Sequence, residues 1–309
     1  MVITCPYCKK KHTVDKNRIP DLEKIKNARC RGCGKVFQLS LALEKDVEKE
    51  KKPEPGIKTR TIGVCLSKGG VGKTTTAVNL AAGLALAGNK VLLVDTDTQG
   101  QAGFMLGVTP KATLTELVTG ELSADEVLTK ARNNLWLLAG GRSLAGIKRL
   151  IDRKDFGGEM TLRESLRSLD GQYDYVIVDT SPGWDPLTVN VLFYVSELLA
   201  PVALEAMSLQ GLSDFITNVA AIRKYRKELN LRYILPTFHD KRIKQTTAIL
   251  NRIEGIYGSR LCTPIRYNVR LAEAPEHGKT IYEFAPGSNG AQDYRDLIRK
   301  VTNNDKLFR

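Results

Sequence analysis

Two sets of residues in this chain have types and spacing that can do chemistry. The first is the run Ser67-Lys68-Gly69-Gly70-Val71-Gly72-Lys73-Thr74-Thr75-Thr76, which follows a short apolar stretch over 62–66 and precedes a helical pattern over 77–87. Glycines let successive backbone N–H groups converge, and a helix N-terminus adds its dipole, so a strand, a glycine loop and a helix start together bind phosphate. In that chemistry Lys73 is expected on the β- and γ-phosphates and Thr74 on Mg²⁺. The strict phosphate-loop pattern requires glycine where this chain has Ser67, so it fails at one position.

The second set is Cys5-Pro6-Tyr7-Cys8 and, after twenty-one residues, Cys30-Arg31-Gly32-Cys33. Each C-x-x-C places two sulfurs on one tight turn, for which Gly32 and Gly34 can supply the conformation, and two such turns close a tetrahedron around Zn²⁺. Persistent disulfides compete only in an oxidising compartment. A redox pair would begin a helix after a strand of a larger α/β unit, which this short segment does not offer; an iron centre stays open beside zinc. So small a piece cannot fold on a hydrophobic core alone, and losing one ligand should unfold it.

The elements that must position the first set are legible as apolar runs. Residues 90–97 and 173–180 each read as a buried strand ending in carboxylates, Asp95 and Asp97 on the first and Asp179 on the second. Acids at the C-terminal ends of parallel strands should face the phosphates; a helix cap or a surface turn is the alternative for each. The expected fold is α/β, a doubly wound, mostly parallel sheet with helices on both faces, preceded by a small zinc-ribbon-like module. The expected divisions are a zinc-binding module over 1–40, a charged linker over 41–58 containing Pro53 and Pro55, and the α/β domain over 59–309.

A hydrophobic content of 42% with 26% charged residues suits a soluble globular chain of 309 residues. No apolar run approaches the roughly 18 residues of a membrane span, and no signal-peptide block stands at the N-terminus, so the cytoplasm is the expected compartment. The net charge of +13 points to a polyanionic partner. Residues 1–60 hold sixteen Lys/Arg against eight Asp/Glu, and residues 223–244 hold eight against two, so these are the two candidate polyanion surfaces; solvated faces are the plain alternative.

Lys68-Gly69-Gly70-Val71-Gly72-Lys73-Thr74 resembles the deviant Walker A motif of the ParA/MinD family. The resemblance implies that Lys68 crosses a dimer interface to the partner's phosphates, so that two ATP molecules are buried between two subunits. It implies nucleotide binding by Lys68, Gly69, Gly70, Val71, Gly72, Lys73, Thr74 and Thr75, and catalysis by Lys68, Lys73 and Asp97. Asp97 orients or activates the attacking water, Asp179 acts on Mg²⁺ through water alongside Thr74, and Asp95 fixes the loop. The implied activity is a slow, partner-stimulated ATPase.

The similarity runs from about residue 60 to 302. The stretches 236–242, 268–279 and 287–291 resemble the ParA/Soj branch. That branch implies a homodimer formed on ATP binding, non-specific DNA binding, nucleoid association, and segregation or positioning of a chromosome, plasmid or protein assembly. It further implies an activating ParB-like protein or cargo adaptor. Lys241, Arg242 and Arg270 stand where such proteins place DNA-contacting residues. Departures are Thr180-Ser181-Pro182-Gly183-Trp184-Asp185, where two prolines and no tryptophan are usual, and Arg266-Tyr267, where Pro-Arg is common. The second of these lies near the base-binding region of relatives and leaves adenine preference open; Trp184 is expected in the core, with a place in an altered switch loop as the alternative.

A MinD-like membrane switch is the second reading, for which residues 298–309 carry too few large apolar side chains. An iron–sulfur carrier ATPase is the third, for which Cys65 and Cys262, read as small buried residues, are poorly placed. The N-terminal segment is similar to a short bacterial zinc-finger motif through Ile3-Thr4-Cys5-Pro6, Pro20, Arg29-Cys30 and Cys33-Gly34-Lys35-Val36-Phe37. His12, His239 and His277 form no triad or metal pattern in sequence.

Overall fold

A computed structural model describes residues 2–5, 7–13, 27–38, 59–205 and 207–308. The linker expected over 41–58, together with Pro20 and Leu39, lies outside the described residues. The chain divides into two compact units, Met1–Gly56 and Ile57–Arg309.

The first unit contains two small antiparallel pairs. Strand β1 (Val2–Thr4) pairs with β2 (Lys11–Thr13), and β3 (Asn27–Arg29) pairs with β4 (Val36–Gln38). Each pair carries one C-x-x-C turn at its end: Cys5 N donates to Lys10 O and Cys30 N to Lys35 O, so both turns are closed by the same kind of bond. Gly34 has φ +73, and the equivalent place in the first turn is filled by Lys9 at φ +58, a left-handed conformation that costs a lysine more than a glycine.

In the second unit β5 (Arg60–Val64) leads through the glycine loop into α1 (Lys73–Leu86), then β6 (Val91–Asp95) and the short α2 (Gln101–Leu106). There follow α3 (Leu114–Thr119), α4 (Ala124–Val127), β7 (Thr129–Arg132), β8 (Leu135–Leu138), α5 (Leu144–Asp152) and α6 (Thr161–Leu166). The chain continues through β9 (Tyr175–Asp179), α7 (Pro186–Tyr194), β10 (Glu197–Ala203), α8 (Ser208–Arg223) and β11 (Asn230–Thr237). It closes with α9 (Lys244–Tyr257), α10 (Val269–Glu273), α11 (Ile281–Phe284) and α12 (Asn289–Thr302).

The seven strands lie in the order β11-β10-β5-β9-β6-β8-β7. All neighbours are parallel except β7 and β8, an antiparallel hairpin whose Asn133-Asn134 turn puts Asn134 at φ +58. This α/β, mostly parallel sheet is the fold class expected from the sequence. Successive side chains of a strand point to opposite faces, and here each face has its own core. Val91 and Leu93 of β6 and Ile177 of β9 join one core with α1 and α12, whereas Leu92, Val94, Val176 and Val178 join the other with α5 to α8. Strands buried on both faces must be apolar at every position, which is why they read as unbroken runs.

Helix α1 is small-residue rich because it is pressed between the sheet and α12. A Cβ at Gly83 would stand 2.5 Å from Ile298 Cδ1 and from the Tyr282 hydroxyl. The helix begins at Lys73, four residues earlier than the apolar pattern suggests, because Gly72 in the left-handed conformation (φ +87) turns the loop directly into the first helical turn. At the other end of the sheet, Arg60 bonds both carboxylate oxygens of Glu197, the hydroxyls of Tyr175 and Tyr233, and the Val301 carbonyl.

Candidate functional site

The C-terminal ends of β5, β6 and β9 open into a cavity of about 550 Å³. Gly69, Gly70, Gly72, Lys73, Thr74 and Thr75 line one part of it, and Asp97, Thr180 and Ser181 another. Beneath that lining lies a floor of buried carboxylates, which do not themselves reach the cavity wall. Asp179 is wholly buried, and neither of its oxygens has a partner in good hydrogen-bonding geometry. Burial pushes its pKa well above the ordinary range, Asp95 and Asp97 add to the rise, and the Thr74 hydroxyl and Lys73 only partly offset it. A buried anion without a partner is unfavourable unless a cation is to stand there, so this floor fits a divalent metal.

The neighbouring groups are arranged in order of need. Asp95 is also buried, but it accepts N–H bonds from Asp97 (2.9 Å) and Ala102 (3.1 Å), so it fastens the loop after β6. Burial still raises its pKa to about 6. Asp97, two residues beyond the strand, is partly exposed to the cavity and accepts from Gln99 N–H. Lys73 Nζ donates to the Lys68 carbonyl (2.7 Å); burial lowers its pKa, opposed first by Asp179. Thr237 ties the end of β11 to the loop through its hydroxyl and the Val71 carbonyl (3.0 Å).

Lys68 itself points to the rim, where it forms an exposed ion pair with Glu205 at 2.9 Å. A second, smaller apolar cavity of about 200 Å³ adjoins the loop, lined by Gly72, Thr75, Thr237, Phe238, Ile265, Tyr267 and Val269 among others. Phe238 lines both cavities and holds a left-handed backbone, φ +57, which is a strained conformation for an aromatic residue. Arg266, one of the departures noted in sequence, bonds Asp293. The segments that carry Lys241-Arg242 and Arg270 are joined at His239, whose N donates to Ile265 O and whose O accepts from Tyr267 N. Arg242 is paired with Asp240 and Arg270 with Glu273, both at the surface.

Sequence reasoning missed Glu205 and also Lys148, which lines the larger cavity from α5 and pairs with Asp185. Neither carried a local signal, since each lies far along the chain from its partner. Trp184 is half-buried and stacks on Phe215, with ring centroids 5.7 Å apart, as expected of a core residue. Cys65 and Cys262 are buried, and burial pushes each thiol up to about 12.

In the first unit the four sulfurs of Cys5, Cys8, Cys30 and Cys33 lie within 4.8 Å of one another. A tetrahedron with metal–sulfur bonds of about 2.3 Å has edges of about 3.8 Å. The Cys5–Cys33 and Cys8–Cys30 separations are 3.7 and 3.6 Å. The donor set and its size therefore fit Zn²⁺. The Cys33 N–H chiefly holds the Cys30 thiol down at about 5, with burial opposing and Gly32 N–H and His12 Nε2 (3.3 Å) assisting. The nearness of His12 had no counterpart in the sequence reading.

Residues 59–232 match the model of a family described as an AAA domain, and residues 1–38 match a zinc-ribbon domain. The chain is 39% identical over 246 residues to the chromosome-partitioning ATPase Soj of Thermus thermophilus, covering 79% of this chain and 96% of that one. The chain belongs to the ParA/Soj family. Another relative, the sporulation initiation inhibitor protein Soj of Bacillus subtilis, is 36% identical and is covered to 99% of its length. Among solved structures, the cobyrinic acid a,c-diamide synthase of Mycobacterium smegmatis with bound ADP and magnesium superposes with a TM-score of 0.68 at 28% identity, over 81% of this chain and 97% of that one. The AAA-domain match lies wholly within the second unit, and no helix among the described residues is long and apolar enough to cross a membrane.

Proposed function

We propose that the protein is a Mg-ATP-dependent, dimerising ATPase switch that binds DNA without sequence preference and segregates or positions a cargo. The observation that carries this reading is the orphaned, buried carboxylate of Asp179, which interacts with Lys73, Thr74 and Asp97, three residues that line the glycine-bordered cavity. Mg²⁺, held by the Thr74 hydroxyl and through water by Asp179, supplies charge neutralisation for the β- and γ-phosphates. The loop N–H groups of residues 69 to 75 cradle the phosphates, and Lys73 leaves the Lys68 carbonyl to donate to their oxygens. Asp97 holds the attacking water and accepts its proton as the water oxygen bonds to the terminal phosphorus and the bond to ADP breaks. The apolar cavity beside Gly72 receives the base.

Lys68 is paired to Glu205 in the single chain, and to reach a partner's phosphates it must exchange that carboxylate for them. Hydrolysis then depends on dimerisation, as a switch requires. Lys241, Arg242 and Arg270 lie on two adjoining segments, and a dimer doubles that surface. Zinc, held by the four cysteines, supplies the folding free energy of the first unit, which recruits the cargo or its adaptor. A ParB-like protein or a cargo adaptor stimulates turnover, and the dimer resides on the nucleoid.

Leu307 and Phe308 pack on the core beside α12, and Arg299 donates to both of their carbonyls, so these apolar side chains are engaged within the domain. The deciding experiment measures binding to non-specific duplex DNA with ATP, ADP or no nucleotide at two salt concentrations. ATP-dependent, salt-sensitive binding is expected; tight ATP binding without DNA affinity in any state would overturn the proposal.

A further inference from the structure

Two lysines line the phosphate cavity, Lys73 and Lys148, and only the first belongs to the glycine loop. Lys148 projects from α5 and its Nζ lies 2.5 Å from Asp185 Oδ2, both side chains being 22% exposed. Asp185 is a junction. Its Oδ1 caps α7 by accepting from Thr188 N–H (2.7 Å), and its Oδ2 also accepts from the Ser181 hydroxyl (2.9 Å). Burial works against its ionisation, but Lys148, the Thr188 N–H and Ser181 outweigh it and hold the carboxyl below its usual range.

An ammonium group has three donors. Asp185 takes one from Lys148, and no second acceptor for Lys148 occurs among the described residues. Lys148 lines the same open cavity that Gly69, Gly70, Gly72, Lys73 and Thr74 line. A lysine placed only to staple two helices would be expected to face packed side chains, whereas this one faces the space where phosphate charge belongs. Its partner is tied through Ser181 to the segment that leaves Asp179, so a change in the partnership is passed along the chain to α7.

We propose that Lys148 is a further substrate-binding residue, which contacts the terminal phosphate oxygens of a bound nucleoside triphosphate. In doing so it slackens its hold on Asp185, so that residues 181–188 respond to whether the third phosphate is present. This rests on the nucleotide reading above. Lys73 grips the loop side of the phosphates in either nucleotide, and Lys148 distinguishes triphosphate from diphosphate.

The test is calorimetric titration of the full chain, in excess Mg²⁺, with ADP and with a non-hydrolysable ATP analogue, comparing wild type with Lys148→Gln, Lys148→Arg and Asp185→Asn. Loss of one charge-assisted contact should weaken the analogue about tenfold in Lys148→Gln and leave ADP within about twofold. Lys148→Arg should restore most of the loss. Asp185→Asn keeps an amide oxygen to cap α7 while releasing Lys148, and should tighten the analogue relative to ADP about two- to fivefold. Equal weakening of both nucleotides in Lys148→Gln, or an unchanged ratio there or in Asp185→Asn, overturns the inference. If wild type binds neither nucleotide, the nucleotide reading itself fails.

Discussion

Replacing Asp179 by asparagine should make the nucleotide-free domain more stable while removing its response to Mg-nucleotide. Asp95, in the same buried floor, has its pKa raised from 3.8 to about 6, which at 1.36 kcal/mol per unit is a native-state penalty of about 3 kcal/mol when it is ionised. Asp179 is pushed in the same direction, first by burial and then by Asp95 and Asp97. Because these folded pKa values lie above the unfolded ones, the native state binds more protons. Stability is then lost as pH rises from the unfolded value through the folded one. Deleting one charge of the trio should raise Tm at pH 8 by on the order of a few °C, and the gain should shrink towards acid pH as the native carboxyl protonates. The assay is thermal denaturation in EDTA from pH 5 to 8, repeated with Mg-ADP. A saturating ligand at about a hundred times its Kd adds about 2.7 kcal/mol to wild type, most of which the variant should lose. A variant that is less stable in EDTA at pH 8, or whose advantage does not vary with pH, would refute the reasoning.

Glu205→Gln should raise the ATP-dependent dimer fraction by a few fold at most, because an exposed ion pair is worth about 0.2–1 kcal/mol; Lys68→Ala should abolish ATP-dependent hydrolysis, and light scattering and phosphate release check the two. Cys8→Ser should strip zinc and unfold the first unit without altering nucleotide affinity, read by metal analysis and by proteolysis of the full chain. Arg270→Ala should weaken DNA binding across all sequences and reduce the salt slope by about 1, as anisotropy at several salt concentrations would report.

What could be read in the sequence was whatever is local. The glycine loop, the two cysteine turns and the strands ending in Asp95 and Asp179 announce themselves within about ten residues each, because every position of a doubly buried strand must be apolar. The start of α1 was misjudged, since an apolar pattern begins only after Lys73 and Thr74, whereas the helix itself starts where Gly72 turns it. Partners distant in sequence stayed hidden. Glu205 is 137 residues from Lys68 and Asp185 is 37 from Lys148, and a charge on an otherwise ordinary helix or loop gives no hint of which cavity it borders. The apolar cavity beside Gly72 was legible only through one departure from pattern, Arg266-Tyr267, because it is assembled from the end of β11, the start of α1 and the segment from residue 265 onward.

Arg60 gives the domain a mechanical property. It is the first residue of β5, a strand flanked by β10 on one side and β9 on the other, and its guanidinium is bolted to three strands and to the last turn of α12. Tension arriving from the residues before it pulls along the strand axis. Parallel ladders loaded in that direction share the force across all their bonds instead of opening one at a time. The five-residue register with β9 would therefore resist in shear. A load drawn through the N-terminal side of the chain meets this bolted strand first, with the glycine loop at the other end of the same strand.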